Sequence, residues 1–318
     1  MKKNMNNSVH IEGRVYEHSL EKKVSGEKSK NPGTEFISGT LSVATDEECL
    51  NIVQTHFTYV TATTKSNKPN ATFNTLQAII DGKIASVMEH GKEQAGKVRI
   101  DTAIDLNDWY DSRNNNQLVS VKRNEGGFVH QTNELNADEK QRSTFEVDMV
   151  ITGVKRVEAD PEKETPEKVI VKGYIFNFRK AVLPVEFSVF EPHAPAAALD
   201  YFENLGATGK SPVFTRLQGR QISQVVIKRK EEESAFGGTS VKESRTSQRD
   251  FVITWASVEP YEWDEEETIL ASELAEAIAQ REVYLADVKK RQEEFQANKN
   301  NALAKTTTAA PAKGGYDF

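Results

Sequence analysis

Apolar and polar residues alternate along most of the chain, and the alternation comes in two matching series. VHIEGRVYE, residues 9 to 17, and VITGVKRVE, residues 150 to 158, each carry an internal glycine and a closing glutamate. A period of two places one face of a strand in a core and the other outside. A polar loop follows each run, HSLEKKVSGEKSKNPGTE in the first series and ADPEKETPEK in the second. Then come FISGTLSV at 36 to 43 and VIVKGYIF at 169 to 176, again with a glycine inside, and third runs VQTHFTYVT at 53 to 61 and PVEFSVFEP at 184 to 192. Both series next switch to a helical spacing, in NTLQAIIDGKIASVMEHG and PAAALDYFENLG. Both return to strand, through VRIDTAIDL and QLVSVKR, and through VFTRLQGRQISQVVIKRK and RDFVITWASVEP.

Each series therefore predicts three strands, a helix and two strands. Mid-strand glycines weaken flat strands but suit the bulges and coiling that close a small barrel. Five strands with a helix between the third and fourth is the order of the OB-fold, a Greek-key barrel that binds oligonucleotides beside its second and third strands. A β-sandwich module is the alternative. The expected architecture is mainly β: two tandem OB-like five-stranded barrels, then a long helix and a disordered tail. The expected divisions are a flexible N-terminus at 1–8, modules at 9–135 and 143–263, the helix at 264–300 and the tail at 301–318.

Composition adds limits. At 318 residues and 37% hydrophobic content the chain can build real cores. A single cysteine, Cys49, excludes an intramolecular disulfide framework and a cysteine-rich zinc site, and fits a reducing cytoplasm. No apolar run reaches the roughly 18 residues of a membrane span, and no signal-peptide core precedes the first strand. The net charge of −7 argues against a uniformly basic coat. The excess acid is weighted toward the C-terminal region, so positive charge on the body can act locally through loops.

Basic and aromatic residues interleave in those loops, the combination that single-strand binding uses for phosphates and bases. The loop between the first two strands offers Lys22, Lys23, Lys28 and Lys30. Third-strand Tyr59 has an apolar body and a polar tip, and the segment after it adds Lys65, Lys68 and Phe73. The fourth and fifth strands bring Trp109, Tyr110, Arg113, Lys122, Arg123 and Phe128. In the second module Tyr174, Phe176 and Phe178 alternate on one strand face before Arg179, and a long polar hairpin carries Lys228, Arg229, Lys230 and Arg245. Aromatics in such a register form either a stacking ladder or a core stripe.

Enzymatic readings find little support. The histidines are scattered without metal-ligand spacing, and GATGKSP at 206 to 212 lacks the glycine spacing and following helix of a phosphate loop. Cys49 follows TDEE, a poor setting for a thiolate. Asp105 and Asp108 could pair at a metal, but paired surface acids are common. No catalytic residue, cofactor or metal is expected.

Near the C-terminus, WDEEETILASELAEAIAQREVYLADVKKRQEEFQANKNN reads as one helix capped by Asp264, with Leu270, Leu274, Ala277, Tyr284, Val288 and Phe295 on a narrow stripe. The chain then closes on TTTAAPAKGGYDF, too poor in apolar residues to order itself.

With two OB-like modules, basic-aromatic loops and a tail ending in Tyr316, Asp317 and Phe318, the chain resembles single-stranded DNA-binding proteins of the bacteriophage type. That resemblance implies sequence-tolerant coating of single-stranded DNA during replication, recombination or repair. It also implies capture of replication or recombination proteins through the terminal Tyr316, Asp317 and Phe318. Bacterial tails of this kind carry several acids and a proline before the final Phe, whereas here Asp317 stands alone. The competing expectation is a structural or assembly protein, such as a virion or tail component, whose aromatics are all core and whose helix drives homo-oligomerisation.

Overall fold

The computed structural model describes residues 5–160, 165–233, 239–263 and 268–307, and the side chains of these apart from 224–248 and 298–307. The first module runs β1 (Asn7–His18), β2 (Glu21–Val24), β3 (Glu35–Ala44), β4 (Ile52–Thr61), α1 (Ala71–Ile80), α2 (Val87–His90), β5 (Lys97–Asp111) and β6 (Gln117–Thr132). The second runs β7 (Ser143–Val157), β8 (Lys168–Phe176), β9 (Val182–Phe190), α3 (Ala197–Asn204), β10 (Val213–Glu233) and β11 (Thr239–Ala256), followed by α4 (Ala271–Thr307).

Two closed rings emerge. In the first, β1 pairs with β3 and β5, β3 with β4, β5 with β6, and β4 closes on β6 in parallel. In the second, β7 pairs with β8 and β10, β8 with β9, β10 with β11, and β9 closes on β11 in parallel. Each ring is an OB-like Greek-key barrel, with its helix between the third and fourth barrel strands. The short hairpin strand β2 lies on the outer edge of β3 and was not legible within its polar loop.

Glycines stand where the barrels bend. Gly39 has φ +134° at a register shift between β3 and β4, and a Cβ there would sit 2.3 Å from the Ser19 carbonyl. Gly173 passes so close to β7 that a Cβ would lie 2.0 Å from the Val150 carbonyl oxygen. Both positions require the missing side chain.

The barrels are fused through their first strands. Antiparallel pairing runs from Asn7 opposite Val147 to Ile11 opposite Ser143, making one eleven-stranded sheet. One apolar core continues across both, from Ile11, Phe57 and Leu76 to Met149, Phe187 and Leu199. A smaller cluster of Val150, Phe176, Val182 and Phe214 lies under Ile269 and Leu274 at the start of α4.

The C-terminal helix begins at Ala271 rather than at Asp264, which lies outside the described residues. Burial of Ile269 ties the segment just before the helix to the second barrel, and Glu273 accepts a hydrogen bond from the Leu270 N–H, half of a capping box. Leu274 is buried, whereas Tyr284 and Phe295 are exposed, so the apolar stripe is fully buried only toward its start and polar residues dock the helix further along. The terminal tail from 308, with Tyr316, Asp317 and Phe318, lies outside the described residues. No helix among the described residues is long and apolar enough to cross a membrane.

Candidate nucleic-acid interface

A groove of about 1310 Å³ opens where β4, β5 and β6 of the first barrel meet the β8–β9 turn of the second and the middle of α4. Four aromatic side chains from four segments reach it: Tyr59, Phe128, Phe178 and Tyr284. Phe128 is 66% exposed and Phe178 80%, and together the rings leave an apolar surface in the cleft open to a partner. Lys65, Arg123, Arg179 and Arg281 join them.

Local chain geometry explains how the rings arrive. Phe57 lies fully in the core, yet Tyr59, two residues on, is 45% exposed. Between Ile37–Val60 and Gly39–Phe57 the β4 strand carries one extra residue, so its alternation inverts and Val60, not Tyr59, resumes the inward face. Tyr59 then rests on Phe36, ring centroids 4.5 Å apart. Phe128 follows Gly126 and Gly127, both at positive φ beside another register shift. A Cβ on Gly127 would lie 2.3 Å from the Asp101 carbonyl, so this bend also excludes other residues. Phe178 sits in the tight β8–β9 turn, where the Asn177 side chain accepts the Arg179 and Ala181 N–H groups. The Arg179 guanidinium lies over the Phe178 ring at 5.1 Å.

The groove floor is acidic, but most of its charge is neutralised in place. Glu125 faces Arg123 Nε at 2.9 Å and His56 Nδ1 at 3.3 Å. Asp108, 1% exposed, takes the Arg281 guanidinium at 2.9 Å and the Ser120 hydroxyl at 2.5 Å. Burial pushes the Asp105 carboxyl above the usual range, against a hydrogen bond from the Leu106 N–H. Lys65 and Arg179 remain as exposed cations on the rim.

Other sequence-derived candidates go elsewhere. Trp109 is exposed on the β5–β6 ribbon, on the strand face of Asp105 but beyond the groove. Tyr110, on the opposite face, is covered by α4: Gln292 bonds its backbone N–H and carbonyl, and Lys289 sits 5.7 Å over its ring. Arg113, Lys28, Lys30 and Lys68 are exposed on turns outside the groove, while Lys22 and Lys23 pair with Glu35 and Glu21 on the β2 hairpin.

Four candidates are corrected. Phe73 is buried on α1 beside Leu76 and Ile79, because that helix face plugs the first barrel. Phe176, 1% exposed, and half-buried Tyr174 lie on the outer face of β8, where a stacking platform would be, but the chain's own Ile269 and Leu274 cover that face. Lys122 alternates with Arg123 and so points away from the groove. It lies between the barrels, donating to the Glu186 carbonyl with its ammonium 5.0 and 4.9 Å from the Phe187 and Phe251 ring centres. Lys228, Arg229, Lys230 and Arg245 fall on the β10–β11 hairpin, but their side chains lie outside the described residues.

Phe178 stands one alternation beyond its buried neighbour Phe176. Tyr284 and Arg281 were invisible as site residues, since their helix carries no local signal of where it docks. Among the described residues, no three His, Cys, Asp or Glu side chains cluster as a metal site.

The fold and groove together define a tandem OB-like protein with an aromatic cleft at the junction of its barrels. The YorF family model matches residues 6–291, and the chain belongs to that family. No curated protein matches the chain. Among solved structures, a deletion mutant of the single-stranded DNA binding protein from Thermus aquaticus is similar at 10% identity and a TM-score of 0.44, covering 83% of this chain and 98% of that one.

Proposed function

We propose that this protein binds single-stranded DNA without sequence preference along the junction groove, and performs no chemistry on it. The observation that carries the reading is the convergence of Tyr59, Phe128, Phe178 and Tyr284, with Lys65 and Arg179, on one cleft. Rings stack on any base, at about 1–3 kcal/mol per base, and rim cations meet phosphates. A cleft floor whose Glu125 and Asp108 are already paired with Arg123 and Arg281 repels the strand less than the formal charge suggests.

In this reading the protein protects exposed strand in the cytoplasm during replication, recombination or repair. The terminal Tyr316, Asp317 and Phe318 then serve as a hook for a replication or recombination partner. Deleting residues 306–318 should leave strand affinity equal or higher while removing capture of that partner. Lower strand affinity on deletion would contradict the hook.

The direct test is a titration of the full chain with oligo-dT, oligo-rU and duplex DNA at low salt. Binding of oligo-dT, with much weaker binding of duplex, is the expected result. No binding of any single strand sinks the proposal and leaves the assembly reading.

A further inference from the structure

On the same seam lies a second cavity of about 750 Å³, which meets the groove at Asp101 and Thr102. Besides His10 of β1, which is taken up by Asp101, basic side chains reach it from three separate elements: Lys140 from the turn at Glu139–Gln141, His193 from the segment after β9, and Arg220 from β10. The Nε of Arg220 is shielded from solvent and has no hydrogen-bond partner among the described residues. A shielded guanidinium donor without a protein partner is costly to leave unmet, so Arg220 Nε offers a donor to an acceptor entering the cavity.

The acids around the cavity are differently placed. Asp101 accepts from His10 Nδ1 at 2.9 Å, and Asp138 from the Lys140 N–H at 2.9 Å. Glu146 is held by Gln218 at 2.6 Å, with Asn6 also donating to it and Arg216 at 3.6 Å. Each acid thus has at least one oxygen engaged, Glu146 both, whereas the basic groups are crowded. Burial lowers the His193 imidazole below its ordinary range, and the Arg220 and Lys140 charges lower it further. Burial likewise lowers Arg220, opposed by the charges of Asp138 and Glu139. An anion between them would relieve both costs.

Gly219 makes the cavity wall flat. A Cβ there would lie 2.4 Å from the Phe145 ring and 2.2 Å from the Val252 carbonyl. The wall therefore has an apolar side backed by Phe145 and a polar side bearing Arg220 Nε.

We infer that this seam cavity is a phosphate site, in which Arg220 and Lys140 grip a phosphate group with His193 beside it. The group comes either from free phosphate or from the backbone of a strand leaving the adjoining groove. The second source rests on the strand-binding reading; the first does not.

The test uses the full-length chain with Arg220→Gln and Lys140→Gln, the latter on an exposed residue whose loss spares the fold. Phe128→Ala serves as the groove control. In one arm, inorganic phosphate is titrated at constant ionic strength and followed by ³¹P line width and thermal stabilisation. Saturable binding that both Gln variants lose and Phe128→Ala keeps assigns free phosphate.

In the other arm, oligo-dT affinity is measured against salt. A log–log slope shallower by about 0.7 in each Gln variant assigns a strand phosphate. If the wild-type chain binds no strand, the groove reading fails and the phosphate arm alone decides the cavity. Variants that match the wild type in both arms overturn the inference.

Discussion

Neighbouring residues on the β5–β6 ribbon have opposite fates, and their behaviour should separate accordingly. Trp109 shares a strand face with Asp105, so a strand continuing out of the groove would cross it, while Tyr110 faces α4. Oligo-dT should quench Trp109 emission, and Trp109→Ala should weaken binding by about 1–3 kcal/mol. Tyr110→Leu should leave affinity unchanged; equal losses in both variants would place the strand elsewhere. Lys122 gives a pH test. Burial pushes its ammonium down to about 8, against the attraction of Asp250 and Glu186. A lysine whose folded pKa lies below its unfolded value disfavours folding fully below about pH 8, and the penalty fades as pH rises through 10.4, because the unfolded chain then binds more protons. The Phe187 and Phe251 rings offset part of this penalty. Lys122→Met should therefore be the more stable chain at pH 7, by roughly 1–3 kcal/mol, with the gap closing toward pH 10 in urea unfolding. A gap that widens with pH would refute the assignment.

Helix α4 reaches from the satellite core of the second barrel to the ribbon of the first, and one buried ion pair secures its middle. Arg281 is 10% exposed and Asp108 1%, so removing the cation would strand a carboxylate away from water. Arg281→Met should cost about 3–5 kcal/mol, and Arg281→Met with Asp108→Leu should recover most of it, measured as a double-mutant cycle. Additive losses would mean that the two do not interact. The same helix shows where sequence reading ends. Strand order, helix placement and the barrel class were legible because alternation and helical spacing are local. The β4 bulge that turns Tyr59 outward was not, since an extra residue leaves no mark in the pattern. Nor was the covering of Phe176, which depends on Ile269 and Leu274, some ninety residues downstream. In the candidate site, Tyr59, Lys65, Arg123 and Phe128 were legible on the first barrel, while Tyr284 and Arg281 depended on long-range docking.

The repeat invites a picture of two independent beads, but the contacts between the barrels argue for one cooperative unit. Besides the β1–β7 ladder and the shared core, buried polar groups cross the junction. Asn124 of β6 and Gln221 of β10 exchange two side-chain hydrogen bonds of 2.8 Å, and Asn51 donates to the Gln221 carbonyl and accepts from the Ser223 N–H. Separating the barrels would leave these groups without partners and expose the strand edges of β1 and β7. The tryptophans can report on each half: Trp109 belongs to the first barrel, Trp255 to β11, and Trp263 packs against the satellite core. In variants retaining Trp109 alone, or Trp255 and Trp263 alone, urea midpoints should coincide with each other and with the loss of far-ultraviolet circular dichroism. Asn124→Ala should lower both midpoints together, by about 1–3 kcal/mol, because Gln221 loses its buried partner. Separate midpoints, or a shift confined to Trp109, would show that the barrels fold as beads. A groove formed across their junction would then lose the rigid setting that holds Tyr59 and Phe128 opposite Phe178.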